Sequence, residues 1–155
     1  VADVYYPRLV QAIQRSEPVT AMLAKAIAGL ALVGLLPFAL ACAAGPWLFA
    51  LVFGPAWATA GEFARWLALA EYSIFISRPC TVAVPALALQ RLSLVFELFS
   101  TGLRIGALLL GALLLEEALL TVIAFSLASI LIYLSLIVIV LIESRRWYAR
   151  QARPA

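Results

Sequence analysis

The chain contains four long apolar stretches, separated by short connectors that are polar or rich in turn-forming residues. They cover approximately residues 20–44, 62–87, 92–115 and 118–142. A helix needs about 20 mostly apolar residues to cross a hydrocarbon core of about 30 Å. A soluble domain of 155 residues has no core large enough to bury all four. We therefore expect an all-α membrane protein, with four transmembrane helices in one bundle and the lipid bilayer as its main partner.

The charged residues exclude several other classes of protein. Only 12% of the residues are charged, against roughly 25% in soluble domains. The net charge of +3 is not concentrated on a face that could follow a nucleic acid, so nucleic acid is not an expected partner. Histidine is absent, and there is no glycine-rich phosphate loop or nucleophile elbow. We expect no enzyme activity, no catalytic residue, no metal site and no cofactor.

The first apolar stretch continues to Phe53 and is too long for one straight crossing. Gly45 and Pro46 are predicted to interrupt it, leaving a short helix over residues 46–53 in the membrane interface. Residues 1–19 are interpreted as the cytoplasmic end of a preceding helix and a loop, and residues 143–155 as a basic cytoplasmic tail. Because the chain begins with Val1 and without a signal peptide, we expect a piece of a longer protein.

Positive charge orients the four spans, because cytoplasmic connectors carry the excess of lysine and arginine. Basic residues lie before or near the start of the first stretch, between the second and third, and after the fourth. They are Arg8, Arg15, Lys25, Arg91, Arg145, Arg146, Arg150 and Arg153. The connector over residues 54–61 carries none, and Glu116 and Glu117 form the last connector. Flanks with basic residues and flanks without them alternate along the chain, which predicts that both termini are cytoplasmic.

Among the charged residues inside the second and third stretches, four lie away from the ends, namely Glu71, Arg78, Glu97 and Arg104. In each stretch the acid and the base are seven residues apart, so they share a helix face. At about 1.5 Å per residue, Arg78 lies about 15 Å and Arg104 about 20 Å from the turn between the stretches. Charges at this depth usually face a bundle interior or a water-filled cavity.

Two interpretations of these residues stay open. Arg78 and Arg104 could line a cationic cavity that binds phosphate oxygens, which arginine can hold through two donors. Alternatively, they could form structural ion pairs with Glu71 and Glu97, or with carboxylates on other helices. Glu71 and Glu97 are also weaker candidates for proton coupling.

Gly102 and Gly106 form a small-xxx-small pair in the third stretch. Such pairs let another helix approach closely. Packing within one bundle is the favoured interpretation, and dimerisation is the alternative.

Three segments carry a resemblance to a known family. They are VYYPRLVQAIQRSEP at residues 4–18, LVFGPAWATAG at residues 51–61 and ALQRL at residues 88–92. In this order and spacing the chain resembles the C-terminal part of bacterial polysaccharide flippases, which belong to the multidrug/oligosaccharidyl-lipid/polysaccharide exporter superfamily. The FGPAW element of residues 53–57 is the most distinctive piece.

The resemblance implies a larger fold of two pseudo-symmetric lobes, of which this chain would supply part of one. It implies alternating access and the flipping of an undecaprenyl-pyrophosphate-linked oligosaccharide across the bacterial inner membrane, for a cell-surface polysaccharide such as O-antigen. Arg78 and Arg104 would then hold the pyrophosphate, and the remaining helices of the flippase would be the partners.

Alternative functions remain for such a chain. Within the same superfamily it could be a drug/cation antiporter or a peptidoglycan-precursor flippase, although two deep arginines argue against the antiporter. In a different class, it could be a small four-helix membrane scaffold protein.

Overall fold

The computed structural model describes residues 19–115 and 117–151, and Gln11 in isolation. The described chain is almost entirely helical. Its α-helices are α1 (Val19–Phe53), α2 (Ala58–Ala86), α3 (Gln90–Leu110) and α4 (Ala118–Gln151). A 3-10 turn, Pro55–Trp57, joins α1 to α2, and a π-helical turn, Gly111–Leu115, follows α3.

Each of the four helices is long and apolar enough to cross a membrane. This confirms the predicted all-α class and the predicted four apolar spans within the described residues, and it indicates a multi-pass membrane protein. The second span begins a few residues earlier than predicted, and α3 gives way to the π-helical turn before the predicted end of the third. The segment predicted to precede the first span lies outside the described residues, apart from Gln11 and Val19.

The predicted basic tail begins as the last turns of α4, because this helix continues to Gln151. Glu143 accepts hydrogen bonds from Arg146 at 2.9 Å and from Arg150 at 3.5 Å. These ion pairs follow the i,i+3 and i,i+7 spacing of one helix face, which favours continuing the helix past the apolar stretch. Residues 152–155 lie outside the described residues.

The predicted interruption at Gly45 and Pro46 is wrong. Helix α1 runs for 35 residues without a break and contains Pro46 in its interior. A proline removes one helical hydrogen bond, a loss that neighbouring helices in a membrane can compensate. The predicted separate interfacial helix over residues 46–53 is therefore the last part of α1.

Gly45 serves a helix contact instead. A β-carbon built on Gly45 would lie 2.8 Å from the carbonyl oxygen of Gly61, and one built on Gly61 would lie 2.6 Å from the carbonyl oxygen of Gly45. Such distances leave no room for a side chain on either residue. The two glycines allow the backbones of α1 and α2 to approach closely where the helices cross.

Further along the same interface, aromatic side chains of α2 cover α1. The hydroxyl of Tyr72 donates a hydrogen bond to the carbonyl oxygen of Ala31 at 2.9 Å. Phe38 contacts the rings of Tyr72 and Phe75, with centroids 5.5 and 5.9 Å apart. A β-carbon on Gly34 would meet Phe75 at 3.0 Å. Helices α1 and α2 are therefore joined along most of their length.

The buried core lies between α1, α2 and α4. Its residues are Val19, Leu23, Cys80, Ala83, Val84, Leu87, Leu136, Ile137 and Val140. Near this core, the hydroxyls of Thr20 and Ser144 are hydrogen-bonded at 2.8 Å, which ties the start of α1 to α4. Helix α3 packs on α4 and makes few contacts with α2.

Large parts of α1 and α3 are apolar and uncovered by the rest of the described chain. In the most apolar 18 residues of each helix, only 6% of the residues of α1 and 11% of those of α3 are buried. Leu32, Leu36 and Phe99 are each at least 70% exposed. Apolar faces of this size are stable against lipid or against other helices, and not against water.

The orientation inferred from charge can be tested by thiol labelling. Ala56 lies in the turn after α1 and Ala149 near the end of α4, and both are exposed. Three helices separate them, so single cysteines at these positions, with Cys42 and Cys80 replaced by alanine, should react with a membrane-impermeant maleimide from opposite sides. Labelling of Ala56→Cys and Ala149→Cys from the same side would contradict the four-span topology.

Candidate functional site

Arg104 is the one deep charge of the four that the structure places against a defined partner. Its guanidinium carbon lies 4.9 Å from the centroid of the Tyr133 ring, on α4. A guanidinium over an aromatic face is attracted by the ring quadrupole. The side chain is half-buried, and its Nε atom is buried without a hydrogen-bond partner among the described residues. Arg104 is thus held in place while keeping donors free.

A second polar group lies one helical turn before Arg104. Ser100 is 1% exposed, and its hydroxyl has no hydrogen-bond partner among the described residues. Residues four apart on a helix are neighbours on its surface. A buried hydroxyl without a partner costs free energy, so a ligand or water bonded to both Ser100 and Arg104 would be favoured.

These residues belong to a polar stripe along α3. Ser93, Glu97, Ser100 and Arg104 follow the spacing of four, three and four residues that marks one helix face. The stripe was visible in the sequence, and Ser100 could have been found from it. Tyr133 could not, because nothing in the sequence links it to Arg104.

The stripe faces the side of α4 that is nearer to α2. Tyr133 packs against the core cluster formed by α1, α2 and α4, and Arg104 lies over its ring. The other flank of α3 borders an open apolar groove of about 600 Å³, lined by Phe99, Gly102, Leu103, Gly106, Ala107, Leu110, Gly111 and Ala124. Helix α3 therefore carries its polar stripe on the side of the Arg104–Tyr133 contact and borders an apolar groove on its other flank.

Arg78, Glu71 and Glu97 are exposed. Within the described residues the ion pairs join Glu62 with Arg65 and Glu143 with Arg146 and Arg150, and none involves the four deep charges. The predicted pairing of Arg78 and Arg104 with Glu71 and Glu97 is not formed in this structure. Arg78 has no aromatic partner comparable to Tyr133 among the described residues, so Arg104 is the stronger candidate for ligand binding.

The glycine pair of α3 has no partner helix among the described residues. No atom lies within 4 Å of a β-carbon built on Gly102 or Gly106. Both line the open groove, so close packing against another helix stays a prediction for a helix outside the described residues. Gly111 differs, because a β-carbon there would meet the side chain of Thr121 at 2.8 Å.

The part of the chain that the structure describes contains no candidate metal site. No group of three or more cysteine, aspartate or glutamate side chains comes together there.

Comparison with known proteins yields no match. No family model matches the chain, and neither a curated protein nor a solved structure matches it.

Proposed function

We propose that this chain is part of one lobe of a bacterial flippase, which moves an undecaprenyl-pyrophosphate-linked oligosaccharide across the inner membrane for cell-surface polysaccharide synthesis. The proposal joins the family resemblance of residues 51–61 to the properties of Arg104. Transport would proceed by alternating access around a cavity in the membrane, without bond chemistry. Both termini would lie in the cytoplasm.

The observation that carries the proposal is the state of Arg104. It lies well inside a helix that is long and apolar enough to cross the membrane, it is oriented by Tyr133, and no carboxylate of the described residues neutralises it. A charge without a partner costs free energy in hydrocarbon, so it usually faces a bound ligand or a water-filled cavity. Pyrophosphate oxygens match the planar donors of a guanidinium.

Arg78 has a lesser role in this proposal. It is exposed, and its side chain has no ion pair or aromatic contact among the described residues. Its depth on α2 would allow contact with the same substrate or with the sugar-proximal phosphate. Ser100 adds a hydroxyl donor beside Arg104.

Substitution of Arg104 in the full-length protein tests the proposal. Arg104→Ala should reduce the amount of glycan on the cell surface by about tenfold or more, because a charge-assisted hydrogen bond to phosphate contributes roughly 1.5–3 kcal/mol. Arg104→Lys should retain more export than Arg104→Ala, since it keeps the charge and loses the planar fork. Surface glycan is measured by immunoblotting at matched protein levels.

Arg150→Ala is the matched control. Arg150 is exposed near the end of α4 and pairs with Glu143, so its loss removes one positive charge away from the polar stripe of α3. Export should stay at the wild-type level. Wild-type export by both Arg104 variants would show that Arg104 does not contact the substrate. If strains with these variants instead became sensitive to drugs while their surface glycan stayed normal, an antiporter would be favoured.

A further inference from the structure

The four deep charges lie on two consecutive helices that run in opposite directions. Glu71 and Arg78 are on α2, and Glu97 and Arg104 are on α3. A turn of three residues connects the two helices. Depths on both helices can therefore be compared from the same turn.

Each acid lies at the level of a base on the other helix. Arg78 is eight residues before the end of α2 and Glu97 is seven residues after the start of α3, which corresponds to about 12 and 10 Å. Glu71 is fifteen residues before that end and Arg104 fourteen residues after that start, or about 22 and 21 Å. The charges are thus complementary at both levels.

The structure leaves the charged side of α2 exposed and turns Arg104 of α3 towards Tyr133. The polar stripe of α3 faces the α2 side of α4, as the contact between Arg104 and Tyr133 shows. On α2, the sides that pack on α1 and α4 carry buried residues, among them Ser77 and Cys80, whereas Glu71 and Arg78 are exposed. Helices α2 and α3 make few contacts with each other, so they are not packed tightly together.

We propose that α2 and α3 close on each other through two crossed ion pairs, Glu71 with Arg104 and Arg78 with Glu97, and that the present structure is the open form. In the open form none of the four is in an ion pair within the described residues. Charges inside a membrane gain most from a partner when water is excluded. Closure supplies a partner to all four at once, while α4 acts as the common support.

The connecting turn sets the register of this closure. A shift of seven residues along either helix would bring Arg78 opposite Arg104, and like charges in a low-dielectric site repel. The short turn prevents that shift. The closure depends only on the charges of α2 and α3, and not on the transported molecule. The proposal therefore does not require that molecule to be a glycan.

Disulfide cross-linking in the full-length protein tests this closure. Ile74 on α2 is three residues from Glu71 and four from Arg78, and Thr101 on α3 is four residues from Glu97 and three from Arg104. Each therefore lies between the two charge levels, on the charged side of its helix. With Cys42 and Cys80 replaced by alanine, Ile74→Cys and Thr101→Cys should form a disulfide in oxidised membranes. The matched control combines Ile74→Cys with Gly102→Cys, at nearly the same depth on the side lined by the apolar groove; it should form little disulfide. The readout is the loss of thiols that react with a maleimide polymer in SDS.

The charge dependence of the cross-link decides the proposal. Arg104→Glu should reduce disulfide formation between the Ile74→Cys and Thr101→Cys positions about tenfold, because it places two carboxylates at one level. Exchanging the charges, with Glu71→Arg and Arg104→Glu together, should restore it, which also shows that the reduction is not misfolding. Equal yields for the Thr101→Cys and Gly102→Cys pairs, or no recovery in the exchanged variant, would overturn the proposal.

Discussion

Gly61→Ala is expected to destabilise the protein by about 1–3 kcal/mol, the usual cost of forcing extra volume into a packed interface. The new β-carbon would lie 2.6 Å from the carbonyl oxygen of Gly45 and would also meet the α-carbon of Pro46. Both are backbone atoms of α1, so no side-chain rotation can relieve the overlap. Helices α1 and α2 would have to separate along an interface that carries much of the packing of the fold. The loss is measured as unfolding by SDS in mixed micelles, followed by tryptophan fluorescence.

Gly29→Ala is the matched control for this substitution. Gly29 is also in α1, but nothing lies within 4 Å of a β-carbon built there. Replacing a glycine in a helix interior with alanine removes backbone freedom from the unfolded chain and can stabilise a helix by up to about 1 kcal/mol. The two substitutions should therefore have opposite signs. A stable Gly61→Ala variant would show that α1 and α2 do not cross at this pair.

Leu23→Ala is expected to cost about 2 kcal/mol. Leu23 is 0% exposed and belongs to the core between α1, α2 and α4. In a bilayer the term for transfer out of water is largely absent, because lipid tails are as apolar as leucine. The cost then comes from the cavity, at about 24 cal/mol per Å³ for a void of about 80 Å³. The same unfolding measurement applies.

Leu36→Ala is the matched control for Leu23→Ala. Leu36 is on the same helix but is 79% exposed, so its truncation leaves no cavity among the described residues and should change stability by less than about 0.5 kcal/mol. Equal losses for Leu23→Ala and Leu36→Ala in the full-length protein would show that another helix covers the open face of α1. A loss below about 0.5 kcal/mol for Leu23→Ala would contradict the three-helix core.

The helix boundaries illustrate what a sequence of this kind can predict. The four spans could be found from their apolar length alone, because hydrocarbon excludes unpaired backbone groups and long apolar runs have to be helical. A different argument, from turn-forming residues, failed at Gly45 and Pro46. A glycine followed by a proline predicts an interruption when the chain is considered alone, but here Gly45 provides the space in which α2 crosses α1.

The candidate site could likewise be predicted only in part from the sequence. The depth of Arg104 and its position on a polar stripe follow from residue spacing on a helix. The ring of Tyr133 beneath it depends on how α4 lies against α3. The open surroundings of Gly102 and Gly106 could not be predicted either, since a small-xxx-small pair states that a helix can approach and not that one does.

By itself, the sequence determined the four helices of the described residues that are long and apolar enough to cross a membrane, their approximate limits and the face of each helix on which its charges lie. Only the tertiary structure decided which sides of α1 to α4 are covered, that α4 lies against both α2 and α3, and that Arg104 contacts Tyr133. In water, the periodicity of apolar residues marks the buried side of a helix. In a bilayer, lipid and protein are similarly apolar, so that periodicity disappears and packing is set by shape and by the few polar groups.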